Sequence, residues 1–174
     1  MEAFRLNLMR NRLFVSALAL TAVAMSSVAI APAFATSSET GAFGEKISIP
    51  SSALTKSKMV RVTGRDFDET VGIYLAYCVM PKKDSLPTPC GGGINKAGIG
   101  DASFWISSNP PPYGQGLAIA FKAGGRFSQK LGISKKIGTY DCTKVRCAIT
   151  VRADHLHEGD RTHDLYIPIK FGKK

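Results

Sequence analysis

The sequence predicts an all-β protein, a seven-strand immunoglobulin-like antiparallel sandwich held by two local disulfides. Three observations carry this expectation. No segment sustains a helical period, short alternating runs recur between turn signals roughly every ten residues, and four cysteines fall into two close pairs.

Residues 1–35 read as a secretory signal. Arg5, Arg10 and Arg12 precede an uncharged apolar run from Leu13 to Ile30, and Ala33-Phe34-Ala35 supplies a small-x-small cleavage pattern. The run approaches the length of a bilayer span, but Pro32 and the cleavage pattern favour removal over anchoring, so no transmembrane segment is expected afterwards. Residues 36–45 are small and polar and read as a disordered lead-in, and 46–174 as one domain large enough for a modest core.

Lys46 to Ile49 is the first expected strand, ended by Pro50, and Met59 to Thr63 alternates up to Gly64. Val71 to Val79 is the clearest strand. It sets Ile73, Leu75 and Tyr77 on one face and Tyr74, Ala76 and Cys78 on the other, and two apolar faces imply a central position. Pro81 to Pro89 reads as a polar loop that Gly91-Gly92-Gly93 continues irregularly to Gly100. Alternation returns over Ala102 to Ser107, breaks at Asn109-Pro110-Pro111-Pro112-Tyr113-Gly114, and resumes over Leu117 to Phe121 and Arg126 to Leu131. Ala148 to Ala153 and Asp164 to Phe171 complete the set, with Pro168 marking an edge position or a bulge.

Of the three possible cysteine connectivities, the neighbouring pairs Cys78–Cys90 and Cys142–Cys147 close loops of sensible size. A zinc tetrathiolate is disfavoured by the absence of C-x-x-C and by the export context, which favours oxidation. The expected location is secreted or in the extracytoplasmic cell envelope. The formal charge of +10 becomes +8 when the signal's three arginines and one glutamate are removed, favouring acidic partners. The cations are scattered along the chain as pairs such as Lys82-Lys83 and Lys135-Lys136, without aromatic interleaving, so specific nucleic-acid binding is not expected.

Catalysis is not expected either. There is no G-x-S-x-G elbow, and the triple glycine lacks the lysine of a phosphate loop. The candidate for other chemistry is the polar stretch 154–164, which holds all three histidines. On an extended segment His155 and His157 would project to one side, with His163 and nearby carboxylates completing a metal or haem site, although a solvated hairpin loop explains the same composition. Tyr113 on its proline turn is a recognition residue, a tyrosinate haem ligand, or simply packing, and Trp105 reads as structural.

The run Gly138-Thr139-Tyr140-Asp141-Cys142-Thr143-Lys144-Val145-Arg146-Cys147-Ala148-Ile149, followed by a polar loop and Leu165-Tyr166-Ile167-Pro168-Ile169-Lys170-Phe171, resembles the carboxyl-terminal part of the neocarzinostatin family of actinobacterial enediyne-binding apoproteins. Upstream, Val60-Arg61-Val62-Thr63-Gly64 and then Val71 through Cys78 follow the same order of strand, turn and cysteine-bearing strand. Gly98 to Phe104 sits where the family has a glycine turn entering a strand. The resemblance spans roughly Ile47 to Phe171.

It implies a noncatalytic carrier that shields a small hydrophobic chromophore in a cleft, with no other cofactor. It also implies a pocket around Cys78 and Cys90, with aromatic side chains near Phe127 and a wall at Ala153 to Asp164. Met80, Phe127, His155 and His157 are therefore the expected ligand-binding residues. The chain departs from the family in Val79-Met80-Pro81, where an aromatic can follow the first cysteine, and in its longer, charged last loop. Two other readings stand beside the carrier: an envelope interaction protein or accessory subunit of a surface assembly, and metal or haem capture through His155, His157 and His163. A monomer is expected unless the protein joins such an assembly.

Overall fold

The computed structural model describes residues 36–83, 85–92 and 101–172. The expected signal at 1–35 and the glycine turn at 98–100 lie outside them. Among the described residues no helix is long and apolar enough to cross a membrane.

The chain is an antiparallel two-sheet sandwich. Its strands are β1 (Ser37–Thr40), β2 (Lys46–Ile49), β3 (Ala53–Leu54), β4 (Lys58–Arg65), β5 (Ile73–Val79), β6 (Ser103–Ile106), β7 (Phe127–Ile133), β8 (Lys136–Ile137), β9 (Tyr140–Asp141), β10 (Cys147–Ala153) and β11 (Leu165–Phe171). One sheet has the order β1-β2-β4-β7 and the other β3-β11-β10-β5-β6, while β8 and β9 form a separate ribbon. Among the ladders between the described strands, only the two-residue pairing of β3 with β11 is parallel.

Alternation decides which side chains meet between the sheets. Ile47, Ile49, Val60, Val62, Leu131 and Ile133 face inward from the first sheet, and Ile73, Leu75, Ile149, Val151, Leu165 and Ile167 from the second. Burying side chains of this kind contributes about 1.5–3 kcal/mol each and is what holds the layers together. As expected, β5 is central, paired to β10 on one side and β6 on the other.

Seven of the eight alternating segments are strands, namely β2, β4, β5, β6, β7, β10 and β11. The eighth, 117–121, makes only a one-residue parallel bridge between Ile119 and Ile106. Turns on either side, at Pro112–Gly114 and at Gly124-Gly125, leave it no length to run alongside a partner. The expected disordered lead-in is also corrected. All four residues of β1 pair with β2 around a turn closed by the Gly41 amide donating to Glu45 O at 2.8 Å, with Gly44 at φ 90°. Ser37 to Thr40 carries no apolar signal of its own, so the strand is set by its partner.

Pro168 sits where a proline can. The amides of Lys170 and Gly172 point outward to Ser52 O and Leu54 O, and by the two-residue repeat position 168 would do the same beyond the end of β3. Three corners use one device, Asp-X-Thr, at Asp68, Asp141 and Asp160. In each, the aspartate accepts from the hydroxyl and the amide of the threonine two residues on, and these bonds hold its carboxyl below the usual range.

Both expected disulfides are present. Cys78–Cys90 folds the proline loop back onto β5, where the Val79 amide donates to Pro89 O at 2.9 Å and the Gly91 amide to Tyr77 O at 2.8 Å. Cys142–Cys147 closes the corner that leads into β10.

Candidate functional site

The outer face of a sandwich sheet is ordinarily wet and polar. On the five-stranded sheet it is not. Tyr74, Ala76 and Cys78 point away from the core on β5, and the register sets Arg152 and Trp105 beside Tyr74, Thr150 and Ser103 beside Ala76, and Ala148 beside Cys78. All eight are buried. The middle of this face carries only small side chains, while bulky groups stand at both ends. The result is a row of small, buried side chains about 13 Å long between Tyr74 and Cys78, by strand rise.

One end wall is an aromatic cluster. Trp105 lies 6.2 Å from Tyr74, 6.5 Å from Tyr113 and 5.1 Å from the edge-on His155 ring, centroid to centroid. His155 ties it together, with Nδ1 bonded to the Tyr74 hydroxyl and Nε2 to the Tyr113 hydroxyl at 2.6 Å. Whichever ring nitrogen of the neutral imidazole carries the proton, one tyrosine donates and the other accepts. The Arg152 guanidinium lies 5.0 Å from the Tyr74 ring, a cation–π contact on a desolvated side.

Beneath the cluster Asp154 is fully buried and satisfied. It accepts from Trp105 Nε1 at 2.9 Å and from the Leu156 amide at 3.0 Å, which caps the short 3-10 turn His155–His157. Gly72 makes this possible, because a Cβ there would overlap the Asp154 carboxylate.

A polar side wall rises from β11. Asp164 accepts from Arg161 Nη2 and from the Tyr166 hydroxyl, both at 2.6 Å. Burial pushes the Asp164 carboxyl above its ordinary value despite these donors. Arg161 Nε and Nη1 are buried without a hydrogen-bond partner among the described residues.

The sequence-predicted site residues fall in three places. Met80 continues the outward row of β5 past Cys78, its amide still bonded to Arg146 O at 2.9 Å, at the disulfide end of that row. His155 stands at the opposite end. Phe127 is corrected: it lies on β7 in the other sheet, inside the core against Phe67 and Phe121 and over Gly64. The expected cavity bordered by Met80, Phe127 and the histidine loop is therefore not formed by those residues.

The three-histidine metal site is corrected as well. Residues 155–157 form a 3-10 turn, in which side chains two apart diverge, and not the extended segment that would align them. Both His155 nitrogens are engaged by tyrosines, and His157 is half exposed with Nδ1 3.7 Å from Asp154. His163 is in a separate hollow of about 230 Å³, between Glu45 at 3.8 Å and Asp160 at 3.6 Å, beside the Phe43 ring. Among the described residues no three His, Cys, Asp or Glu side chains converge to hold a metal ion. Tyr74 and Asp154 escaped the sequence reading as site residues. The one available signal for Tyr74 was an aromatic on the second face of a central strand.

Burial pushes the Tyr74 phenol up to about 12, with Asp154 adding to the effect, and raises Tyr77 and Tyr166 as well. A phenol whose folded pKa exceeds the unfolded value of about 10 contributes stability that is complete below that pH and lost as pH rises through the folded pKa. Absorbance at 295 nm should therefore show three of the five tyrosines resisting ionisation past pH 11, then appearing together at alkaline unfolding. Smooth ionisation of all five near pH 10 would mean that Tyr74, Tyr77 and Tyr166 are open to solvent.

No family model matches the sequence, and no curated protein sequence matches it. Among solved structures macromomycin is similar, with a TM-score of 0.47 and 12% identity over 74% of this chain and 99% of that one.

Proposed function

We propose that this is a secreted, noncatalytic binding protein that holds a small, flat, apolar ligand in a trough floored by the row of small side chains on the outer face of the five-stranded sheet, opened by displacement of the groups that cover it. The observation that carries the reading is that face itself. Its floor of Ala76, Ala148, Thr150 and Ser103 lies between the Tyr74–Trp105 wall and the Cys78–Cys90 bridge. Small-molecule sites are concave and mostly apolar, with a few polar groups that fix orientation. Arg161 Nε and Nη1 supply those groups, so a ligand with a carbonyl or hydroxyl oxygen on one edge suits the trough best. The same places, the first disulfide and the last loop, are those that the neocarzinostatin resemblance of the sequence assigns to a chromophore cleft.

Trp105 is the single tryptophan and stands in the end wall, so its emission reports occupancy. Titration with the fluorophore anilinonaphthalene sulfonate should quench Trp105 by energy transfer, and Ala76→Phe, which raises the floor, should weaken binding about tenfold, or 1.4 kcal/mol. Equal affinity for both proteins would place the probe elsewhere and sink the proposal. Native mass spectrometry of the protein from its own source, before and after organic extraction, would then identify the cargo.

A further inference from the structure

The outer face of the other sheet has an order that the sequence conceals. Pairing of β2 with β4 and of β4 with β7 places Lys46 beside Arg65, Arg61 beside Lys130, and Ser48, Thr63 and Ser128 in one row between those two cationic rungs. On β1, Ser38 extends the hydroxyl row by pairing with Ser48. Rungs on one face are about 6.8 Å apart and neighbours along a rung about 4.8 Å.

Two hollows follow this pattern. One of about 470 Å³ is lined by Lys46, Ser48, Thr63 and Arg65, and Lys122 and Arg126 add two more cations at its far side. The other, of about 280 Å³, runs from Ser48 and Thr63 to Arg61. No Asp or Glu lines either hollow. Of the six cations only Arg65 has an ion-pair partner among the described residues, Asp66.

We infer that this face binds an acidic glycan, a linear sugar polymer carrying sulfate, phosphate or carboxylate groups. The cationic rungs take the acidic groups and the hydroxyl row takes sugar hydroxyls, to which serine and threonine both donate and accept. Nucleic acid fits less well, because base recognition on single strands needs aromatic platforms, and Met59 is the one large apolar side chain exposed on these strands. That single methionine also gives a membrane little to bury.

The test is calorimetric titration with a size-defined heparin oligosaccharide and with an oligogalacturonate, which separate sulfate from carboxylate recognition. Binding of at least one is expected, weakening about tenfold as NaCl is raised from roughly 50 to 200 mM. The pair Lys46→Gln/Arg65→Gln should weaken it at least tenfold, while Lys82→Gln/Lys83→Gln, which removes the same charge from an exposed loop, should change it less than twofold. Thr63→Val, which alters no charge, should weaken the glycan severalfold. Circular dichroism confirms that each variant is folded. The inference is overturned by no binding to either glycan, by equal losses in the two charge pairs, or by an unchanged Thr63→Val. Tighter binding of oligothymidylate or phosphatidylglycerol vesicles, lost in the same face variants, overturns it in favour of nucleic acid or membrane.

Discussion

Asp154→Ala is expected to destabilise the domain by about 4 kcal/mol, because it strands two donors at once. The Trp105 indole N–H and the Leu156 amide both end on this fully buried carboxylate. Each lost charge-assisted bond costs on the order of 2 kcal/mol where water cannot replace it. The change also removes the cap of the 155–157 turn, so His155 should loosen from its tyrosines and Trp105 emission should shift to the red. Asp154→Asn keeps one acceptor oxygen and should recover about half of the loss. Urea unfolding followed by Trp105 fluorescence reads both. A loss under about 1 kcal/mol for alanine would show that solvent reaches the site and satisfies the indole.

Phe127→Ala should cost a similar amount, about 4 kcal/mol, by opening a cavity among Phe67, Phe121 and the floor at Gly64. Its functional effect should be nil. At temperatures where the variant remains folded, affinity for the trough probe should match that of the parent, because Phe127 belongs to the opposite sheet. A selective loss of probe affinity without loss of stability would return Phe127 to the binding site and move the site across the sandwich.

Much of the fold was legible because it follows from local pattern. Strands such as β5 and β10 alternate strongly over seven residues, and the cysteine pairs are close enough to constrain their own pairing. What was hidden depends on register and on partner elements. Ser37 to Thr40 has nothing apolar to announce it, yet it pairs completely once β2 is in place. Leu117 to Phe121 alternates well, yet two tight turns leave it no ladder.

The site divides in the same way. The two disulfides and the gathering of the histidines in the last loop were readable from spacing and composition. Phe127, assigned to the site by the resemblance, stands on β7 in the other sheet, because order along the chain does not say which sheet carries a strand. The histidine loop failed as a metal site because Asp154 caps a 3-10 turn, which rotates His157 away from His155. Cations scattered in sequence become two rungs only through the pairing of β2, β4 and β7.

The borders of the five-stranded sheet have a consequence for life at high concentration. Along β11, Pro168 has no amide to offer, and the amides of Lys170 and Gly172 already end on Ser52 and Leu54. Along β6, Trp105 O accepts from Ile119, and the Ser107 amide, just past the strand, donates to Ile119 O. A second copy approaching at these points finds the Lys170, Gly172 and Ser107 amides and the Trp105 carbonyl already bonded, which makes these stretches poor templates for strand-by-strand growth into fibrils. The same bonds hinder an extended peptide from adding a strand to this sheet at those positions, where recognition falls instead to side chains of its broad face.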